Sequence, residues 1–206
     1  MDDCFYITEN ITPSIELGEE KCYNVSILSK RRSFMHTLNV EKSRWTAREI
    51  SLTAAMTAVV FLLTFVPKIP IPLGYAHLGD AAIFVMACLA GRREALVAAC
   101  AGSMLADFMG GFPLWIGPTL IIKWAMAETF LHVSDMSNED FIKSPRTLLA
   151  LVLACLVMAA GYTAFGVVLY DSLAAGLASA PGLLAEGAVN ILAFYGAIKP
   201  LQKFMK

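Results

Sequence analysis

The fold is decided by residues 102–123, which read GSMLADFMGGFPLWIGPTLIIK. This segment is apolar enough to lie within a bilayer, yet it contains Asp107 and Lys123. An aspartate or lysine at the centre of a membrane helix costs about 2.5 to 3.5 kcal/mol on insertion scales, so such residues usually face a bundle interior and a polar ligand or partner. The stretch therefore indicates a functional site within the membrane. A purely structural ion pair between helices is the alternative.

The composition favours the same class of protein. The chain has 206 residues, of which 57% are hydrophobic and only 16% are charged, whereas about a quarter of a soluble domain is charged. The charges avoid the long apolar runs, which indicates a single integral membrane bundle. There is no dense basic stripe of the kind that binds nucleic acid. The five cysteines form no CxxC pair, which argues against a disulfide framework or a zinc site.

The apolar runs predict an all-α integral membrane protein with six transmembrane helices in one bundle and no internal repeat. The predicted spans are residues 47–66, 79–90, 95–109, 114–132, 147–170 and 182–204. Residues 171–181 are predicted to connect the last two spans. The second span is short for a crossing of about 20 residues, so the loop before it is expected to enter the bundle.

That loop, between the first two predicted helices, is rich in proline. Pro67, Pro70 and Pro72 exclude a helix and favour an extended path. An extended backbone cannot cross lipid, because its polar groups would lack hydrogen-bond partners. The loop is therefore predicted to be external, either lying at the surface or folding over a cavity as a lid.

The first 45 residues are polar and show no helical periodicity, so they are predicted to be an extension that precedes a transmembrane domain of residues 46–206. They lack the apolar core of a signal peptide. A cytoplasmic tail, a regulatory appendage and translated upstream sequence are all compatible with this segment, and Met35 is a plausible natural start.

The basic residues predict the orientation. With six spans, one side of the membrane carries both termini and all of the 16 lysines and arginines except Lys68, in the first loop, and Lys123, within a span. Cytoplasmic loops are enriched in lysine and arginine. Both termini are therefore predicted to be cytoplasmic, in a multi-pass protein of the plasma membrane.

This orientation places several polar and aromatic side chains at one depth. The fourth predicted span begins on the outer side of the membrane, so Lys123 lies roughly 14 Å below that surface, near the middle of the membrane. Side chains from separate elements share the outer half, which predicts an outward-facing cavity with aromatic groups to stack on a flat ring and ionisable groups to bind its polar edge. The predicted substrate-binding residues are Tyr75, Asp107, Trp115, Thr119, Lys123, Tyr162, Glu186 and Asn190. A buried, charged Lys123 needs a carboxylate or a ligand anion nearby, and Asp107 and Glu186 are its expected partners.

Other roles remain open for some polar residues. Trp115 is equally compatible with a place in the aromatic belt at the membrane interface. Tyr162 and Asn190 are equally compatible with hydrogen bonding between helices. His77 is predicted to be a polar surface residue. Glu128, nearer the inner end of the fourth predicted span, is expected to have a structural or coupling-side role and not to contact the ligand.

The motifs exclude the common hydrolytic enzymes. The chain contains no His-Glu-x-x-His, no Gly-x-Ser-x-Gly and no Gly-x-x-x-x-Gly-Lys-Ser/Thr, so it is predicted to be neither an enzyme nor an ATPase. A proton- or sodium-coupled secondary transporter is the alternative, with Asp107, Lys123 and Glu186 as a relay. The small size and the lack of an inverted repeat argue against that alternative.

The central motifs resemble the substrate-binding (S) components of energy-coupling factor (ECF) vitamin transporters. The resemblance is closest to the group for small B-vitamin-like compounds and their precursors, and it covers about residues 48–206. The ordered motifs that carry it are Leu78-Gly79-Asp80, Ala101-Gly102-Ser103, Ala106-Asp107, Gly110-Gly111-Phe112-Pro113 and Thr119 to Lys123.

The resemblance implies a subunit that captures a solute, without a cofactor or metal, and works with a transmembrane coupling (T) subunit and two ATP-binding cassette ATPases. It implies that the small residues Ala54 and Ala58 meet the coupling subunit. The chain has Leu183 and Glu186 where relatives often have amides. A carboxylate there favours a ligand with a donor or cationic edge, such as an aminopyrimidine or a pyridoxine-like ring.

Overall fold

The computed structural model describes residues 45–71, 74–136 and 141–201. The extension predicted for residues 1–45 therefore lies, except for Trp45, outside the described residues. Within the described residues the chain forms six α-helices, joined by one short hairpin and two 3-10 turns. The helices are α1 (Ala47–Phe65), α2 (Gly79–Leu89), α3 (Arg92–Gly110), α4 (Ile116–Val133), α5 (Pro145–Tyr170) and α6 (Leu173–Leu201).

Three of these helices are long and apolar enough to cross a membrane, namely α1, α5 and α6. Helix α2 has only 11 residues, fewer than the roughly 20 needed for a full crossing. Helices α3 and α4 have 19 and 18 residues but include charged side chains. The helices and their apolarity identify an all-α membrane protein, as predicted.

The proline-rich loop forms a two-stranded antiparallel hairpin between α1 and α2. Its strands are β1 (Ile69–Ile71) and β2 (Gly74–Ala76), with Pro70 opposite Tyr75. Proline lacks the N–H that a central strand must donate, and it is tolerated in such an edge position. The hairpin contacts α6. A Cβ added at Gly182 of α6 would lie 2.9 Å from the side chain of Ile71 in β1.

The predicted connection over residues 171–181 is wrong, because α6 already begins at Leu173. The turn is confined to Asp171, which adopts a left-handed conformation with φ 46°, and Ser172, whose hydroxyl accepts a hydrogen bond from the N–H of Ala175 at 3.2 Å. The residues that follow are mostly alanine and leucine, which favour a helix. Pro181 lies inside α6, and membrane helices tolerate such prolines because neighbouring groups satisfy the freed carbonyl.

The apolar core joins α2, α4 and α6 through three buried aromatic rings. Phe84 lies 5.0 Å from Phe130 and 6.5 Å from Phe194 between ring centroids, and the latter two are 6.0 Å apart. Aromatic pairs at such distances contribute beyond the area that they bury. This cluster holds the short helix α2 within the bundle.

Helices α1 and α3 lie close together at Gly102. A Cβ added there would lie 2.8 Å from Cβ of Val60 and 2.9 Å from the carbonyl oxygen of Thr57. Small residues at helix contacts permit this approach, which drives helix association in lipid.

We expect Gly102→Ala to destabilise the protein. Overpacking costs about 1–3 kcal/mol, which exceeds the roughly 1 kcal/mol that alanine gains over glycine in a helix. The matched control is Gly117→Ala, since a Cβ at Gly117 meets no atom within 4 Å. Thermal denaturation of the detergent-solubilised variants measures the difference. An equal midpoint for the two variants would refute the close approach.

Candidate functional site

A cavity of about 60 Å³ lies beneath the hairpin. Its walls come from the hairpin, the α3–α4 connection and helices α3, α5 and α6, so residues distant in sequence meet around it. The lining residues are Ile71, Tyr75, His77, Asp107, Phe112, Trp115, Tyr162, Ser179, Leu183 and Glu186.

Aromatic rings form two parts of the wall. The ring of Trp115 lies 5.6 Å from that of Tyr162 and 6.3 Å from that of Tyr170, and its indole N–H donates a hydrogen bond to the Tyr170 hydroxyl at 3.4 Å. Tyr75 and Phe112 form a second pair, with centroids 5.4 Å apart. Such surfaces suit a flat ring that stacks between them.

Asp107 provides a carboxylate in this wall. The Tyr75 hydroxyl donates a hydrogen bond to Oδ1 of Asp107 at 3.2 Å, while Oδ2 is buried and accepts no hydrogen bond of normal length from the described residues. Burial, followed by the negative charge of Asp107, raises the pKa of Tyr75, so the hydroxyl keeps its proton and donates. A buried acceptor without a donor is costly, and Oδ2 is therefore a ready acceptor for a ligand.

Glu186 and Asn190 of α6 hold the end of the hairpin. Oε1 of Glu186 accepts a hydrogen bond from the backbone N–H of His77 at 3.1 Å. The Asn190 amide donates to the His77 carbonyl at 2.8 Å and accepts from the N–H of Ala81 at 2.8 Å. Asn190 is fully buried, and it joins α6 to the hairpin and to the first turn of α2.

His77 is not the surface residue that was predicted. Its side chain is only 9% exposed, because the hairpin folds back over the bundle and is held there by α6. Burial lowers the pKa of His77 to about 4, so the imidazole is neutral at neutral pH. Its Nδ1 accepts from the N–H of Gly79 at 3.1 Å, and the 3.2 Å contact between Nδ1 and Oε1 of Glu186 is therefore not an ion pair.

Lys123 forms a buried ion pair with Asp80 of α2, with side chains 1% and 0% exposed. Asp107 and Glu186 were the expected partners, and that expectation is wrong. Because α2 is short and follows the hairpin, its first turn brings Asp80 to the depth of Lys123. The lysine lies behind the cavity wall, with Nζ 5.4 Å from the ring centroid of Tyr162.

The structure thus separates the predicted substrate-binding residues into two layers. Tyr75, Asp107, Trp115, Tyr162 and Glu186 line the cavity. The other three lie behind them, each bonded to a neighbour: Thr119 to the Tyr162 hydroxyl at 3.1 Å, Lys123 to Asp80, and Asn190 to His77.

Sequence reasoning missed part of the wall. Apart from His77, the missed residues are Ile71, Phe112, Ser179 and Leu183. Phe112 was detectable, since it lies in the glycine–proline break between α3 and α4. Leu183 was noted only as a difference from relatives, and Ile71 and Ser179 carried no comparable signal.

A separate cluster ties α3 to α4 at the end of the bundle away from the hairpin. Glu128 pairs with Arg92 and lies 3.3 Å from Nε2 of His132. These residues do not line the cavity, which agrees with the structural role expected for Glu128.

We expect Lys123→Met or Asp80→Leu alone to destabilise the protein by about 3–5 kcal/mol, because each leaves a buried charge without its partner. The double variant should recover most of that loss, since a well-packed apolar pair often replaces a buried ion pair. Thermal denaturation in detergent measures the cycle. Additive losses in the double variant would contradict the pairing.

Comparison with known proteins assigns the chain to a family. A family model described as ECF-type riboflavin transporter, S component, matches residues 44–203, a range that contains all of the described helices. The chain is also similar to a protein of Pyrococcus woesei described as "Uncharacterized protein in gap 3'region", with 34% identity over 113 residues, which are 54% of this chain and 73% of that protein. The resemblance to ECF S components is thereby confirmed. The chain belongs to the family of ECF-type riboflavin transporter S components.

Proposed function

We propose that this chain captures a small, flat, vitamin-like heterocycle in the cavity beneath the hairpin and presents it to the other subunits of an ECF importer. The observation that carries the proposal is the combination of aromatic walls and the unpartnered Oδ2 of Asp107 around one cavity. Ligand sites are typically apolar and aromatic, with a few polar groups that fix orientation.

Each wall residue has a role in this proposal. Trp115, Tyr162 and Tyr75 stack against the ring, while Asp107 and Glu186 accept hydrogen bonds from its edge. Thr119, Lys123 and Asn190 act as positioning residues, because each bonds to a residue of the wall or of α2. Riboflavin, named in the family description, is the first ligand to test, and aminopyrimidine or pyridoxine-like compounds are smaller alternatives.

The hairpin serves as a lid. The cavity of about 60 Å³ is far smaller than the roughly 300–1,000 Å³ of typical ligand sites, so the hairpin must move outward to admit a vitamin. Among the described residues, three hydrogen bonds that involve side chains hold it to the bundle: from the Tyr75 hydroxyl to Asp107, from the His77 N–H to Glu186 and from the Asn190 amide to the His77 carbonyl.

In the proposed arrangement the protein lies in the plasma membrane and crosses it six times. Both termini are in the cytoplasm, and the cavity opens to the outside. The distribution of charge supports this topology. Basic residues lie at the first turns of α1, α3 and α5 and near the last turn of α6, at Arg48, Arg92, Arg93, Arg146 and Lys199. The hairpin follows the opposite end of α1.

The exposed face of α1 supports docking of a coupling (T) subunit, which in turn would join two ATPases. Ala54 and Ala58 are exposed, so their small side chains do not pack within the chain. Exposed Ile50 and Leu62 extend the same helix as an apolar surface. Small residues four apart allow another helix to approach closely.

We expect Trp115→Ala and Glu186→Ala each to weaken riboflavin binding by at least about tenfold, or 1.4 kcal/mol. The first removes a stacking surface and the second an acceptor. Trp115→Phe keeps an aromatic ring and should bind nearly as the parent does. Isothermal titration of the solubilised protein gives the affinities. Trp124→Ala is the control, because Trp124 lies on α4, the helix that directly follows Trp115, but is 49% exposed and outside the wall. An equal loss in the control would contradict the site.

We expect Ala58→Trp to abolish copurification of the coupling subunit while ligand binding persists, because a bulky side chain blocks the approach of a helix. Ala160→Trp is the matched control, at an exposed alanine of α5. Affinity purification of the coexpressed complex measures the association. Retained copurification with Ala58→Trp would place the docking face elsewhere.

A further inference from the structure

A second concavity, the α3–α4 groove, lies between helices α3 and α4. Its volume is about 800 Å³, and it shares no described lining residue with the cavity beneath the hairpin. Much of its lining is apolar, including Leu96, Cys100, Met104, Phe108, Ile116 and Leu120. The side chains of Phe108 and Leu120 are 64% and 41% exposed, so the groove opens outward and not into the bundle.

One end of the groove carries a positive charge beside a tryptophan. Trp45 and Arg93 line this end, and Cζ of Arg93 lies over the Trp45 ring, 4.6 Å from its centroid. Arg93 is the one charged side chain among the described residues that line the groove; Glu49 and Glu94, from the same turns of α1 and α3, do not line it. A stacked guanidinium directs its N–H groups within its own plane, in a geometry that matches a phosphate.

The length of the groove fits one leaflet of a bilayer. At the rise of an α-helix, Leu96 and Phe108 lie roughly 18 Å apart along α3, and half of the hydrocarbon core is about 15 Å thick. Trp45 stands at the charged end, and tryptophan is enriched at the level of the lipid headgroups. A lipid with its headgroup at Arg93 would therefore extend an acyl chain along the whole groove.

The size of the lining side chains distinguishes this groove from a surface for another helix. Helix contacts in lipid are enriched in small residues that let two backbones approach, as Ala54 and Ala58 would on α1. The groove instead presents leucine and phenylalanine side chains at its rim, such as Leu105 and Phe108, which are 47% and 64% exposed. These side chains keep a second backbone at a distance, whereas a thin, flexible acyl chain can lie between them. The flexible side chain of Met104 can adapt to such a chain.

We infer that the α3–α4 groove binds an anionic phospholipid, with the phosphate at Arg93 and an acyl chain along the apolar lining. Basic pockets between membrane helices bind anionic headgroups in this way. A zwitterionic lipid fits the same apolar lining, but its own cationic group opposes the attraction to Arg93. The groove therefore prefers a lipid with a net negative charge. This site is separate from capture of the solute, because the two concavities share no described residue.

The headgroup preference is tested by native mass spectrometry of the solubilised protein, titrated with phosphatidylglycerol or with phosphatidylcholine of identical acyl chains. We expect the first phosphatidylglycerol to bind at least about fivefold more tightly than phosphatidylcholine. Arg93→Gln should abolish this preference, because it removes the charge at the headgroup end. Lys199→Gln is the matched control and should keep the preference, since it removes an exposed positive charge near the last turn of α6, outside the groove.

Filling the groove tests the place of the acyl chain. Ala101 is a half-buried residue of the lining, so Ala101→Trp should weaken binding of phosphatidylglycerol at least about tenfold. Ala160→Trp, at an exposed alanine of α5 outside the groove, should bind this lipid as the parent does. Arg93 is exposed, so the headgroup test decides the matter even if Ala101→Trp does not fold.

Three results would overturn the inference: equal affinity for the two lipids, a preference that persists in Arg93→Gln, or unchanged lipid binding in folded Ala101→Trp. Equal affinity for the lipids together with a second copy or a coupling subunit that Ala101→Trp displaces would assign the groove to a protein partner. Binding of riboflavin does not enter this test, so the proposed function stands or fails separately.

Discussion

The ion pair between Lys123 and Asp80 is the interaction on which the rest of the structure depends. It joins α4 to the first turn of α2 behind the cavity, where both side chains are buried. A buried charge is tolerated when its partner is in contact and strongly destabilising when it is alone, so the pair fixes how α2 sits against α4. Asn190 adds α6 to the same region through Ala81 and His77. The position of the hairpin end, and hence the shape of the cavity, follows from these contacts.

In the proposed function the hairpin acts as a lid that individual hydrogen bonds hold to the bundle. Hydrogen bonds to Asp107, Glu186 and Asn190 retain the hairpin, and each net contribution is about 0.5–1.5 kcal/mol, or about 1.5–3 kcal/mol where a charged group takes part. A ligand that bonds to Asp107 and Glu186 engages the groups that the hairpin now contacts. In the proposed function, opening of the hairpin and binding of the ligand are therefore coupled through the same carboxyl groups. The core rings of α2, α4 and α6 are not disturbed by such a movement, since they lie outside the wall.

The sequence predicted much of the fold, and it predicted that polar side chains from separate elements lie close together, because charges within apolar runs are costly and need partners. Five of the eight predicted substrate-binding residues line the cavity, whereas the depth predicted for Lys123 from the helix rise stays a prediction. Periodicity indicates which face of a helix is buried but not which helix packs against that face. The wrong carboxylates were therefore expected to be the partners of Lys123. Pro181 was interpreted as a helix boundary, although α6 passes through it. His77 could not be placed, because its burial depends on backbone contacts with α6 that no local pattern encodes.

The central claim is that the chain captures its solute and depends on partner subunits to move it. Reconstitution in proteoliposomes tests this claim most directly, by measuring uptake of radiolabelled riboflavin by the chain alone and by the chain with its coupling subunit and ATPases. The account predicts uptake only in the complete assembly and only with ATP, with no response to a proton or sodium gradient. Uptake by the chain alone that follows such a gradient would contradict it and would identify a secondary transporter.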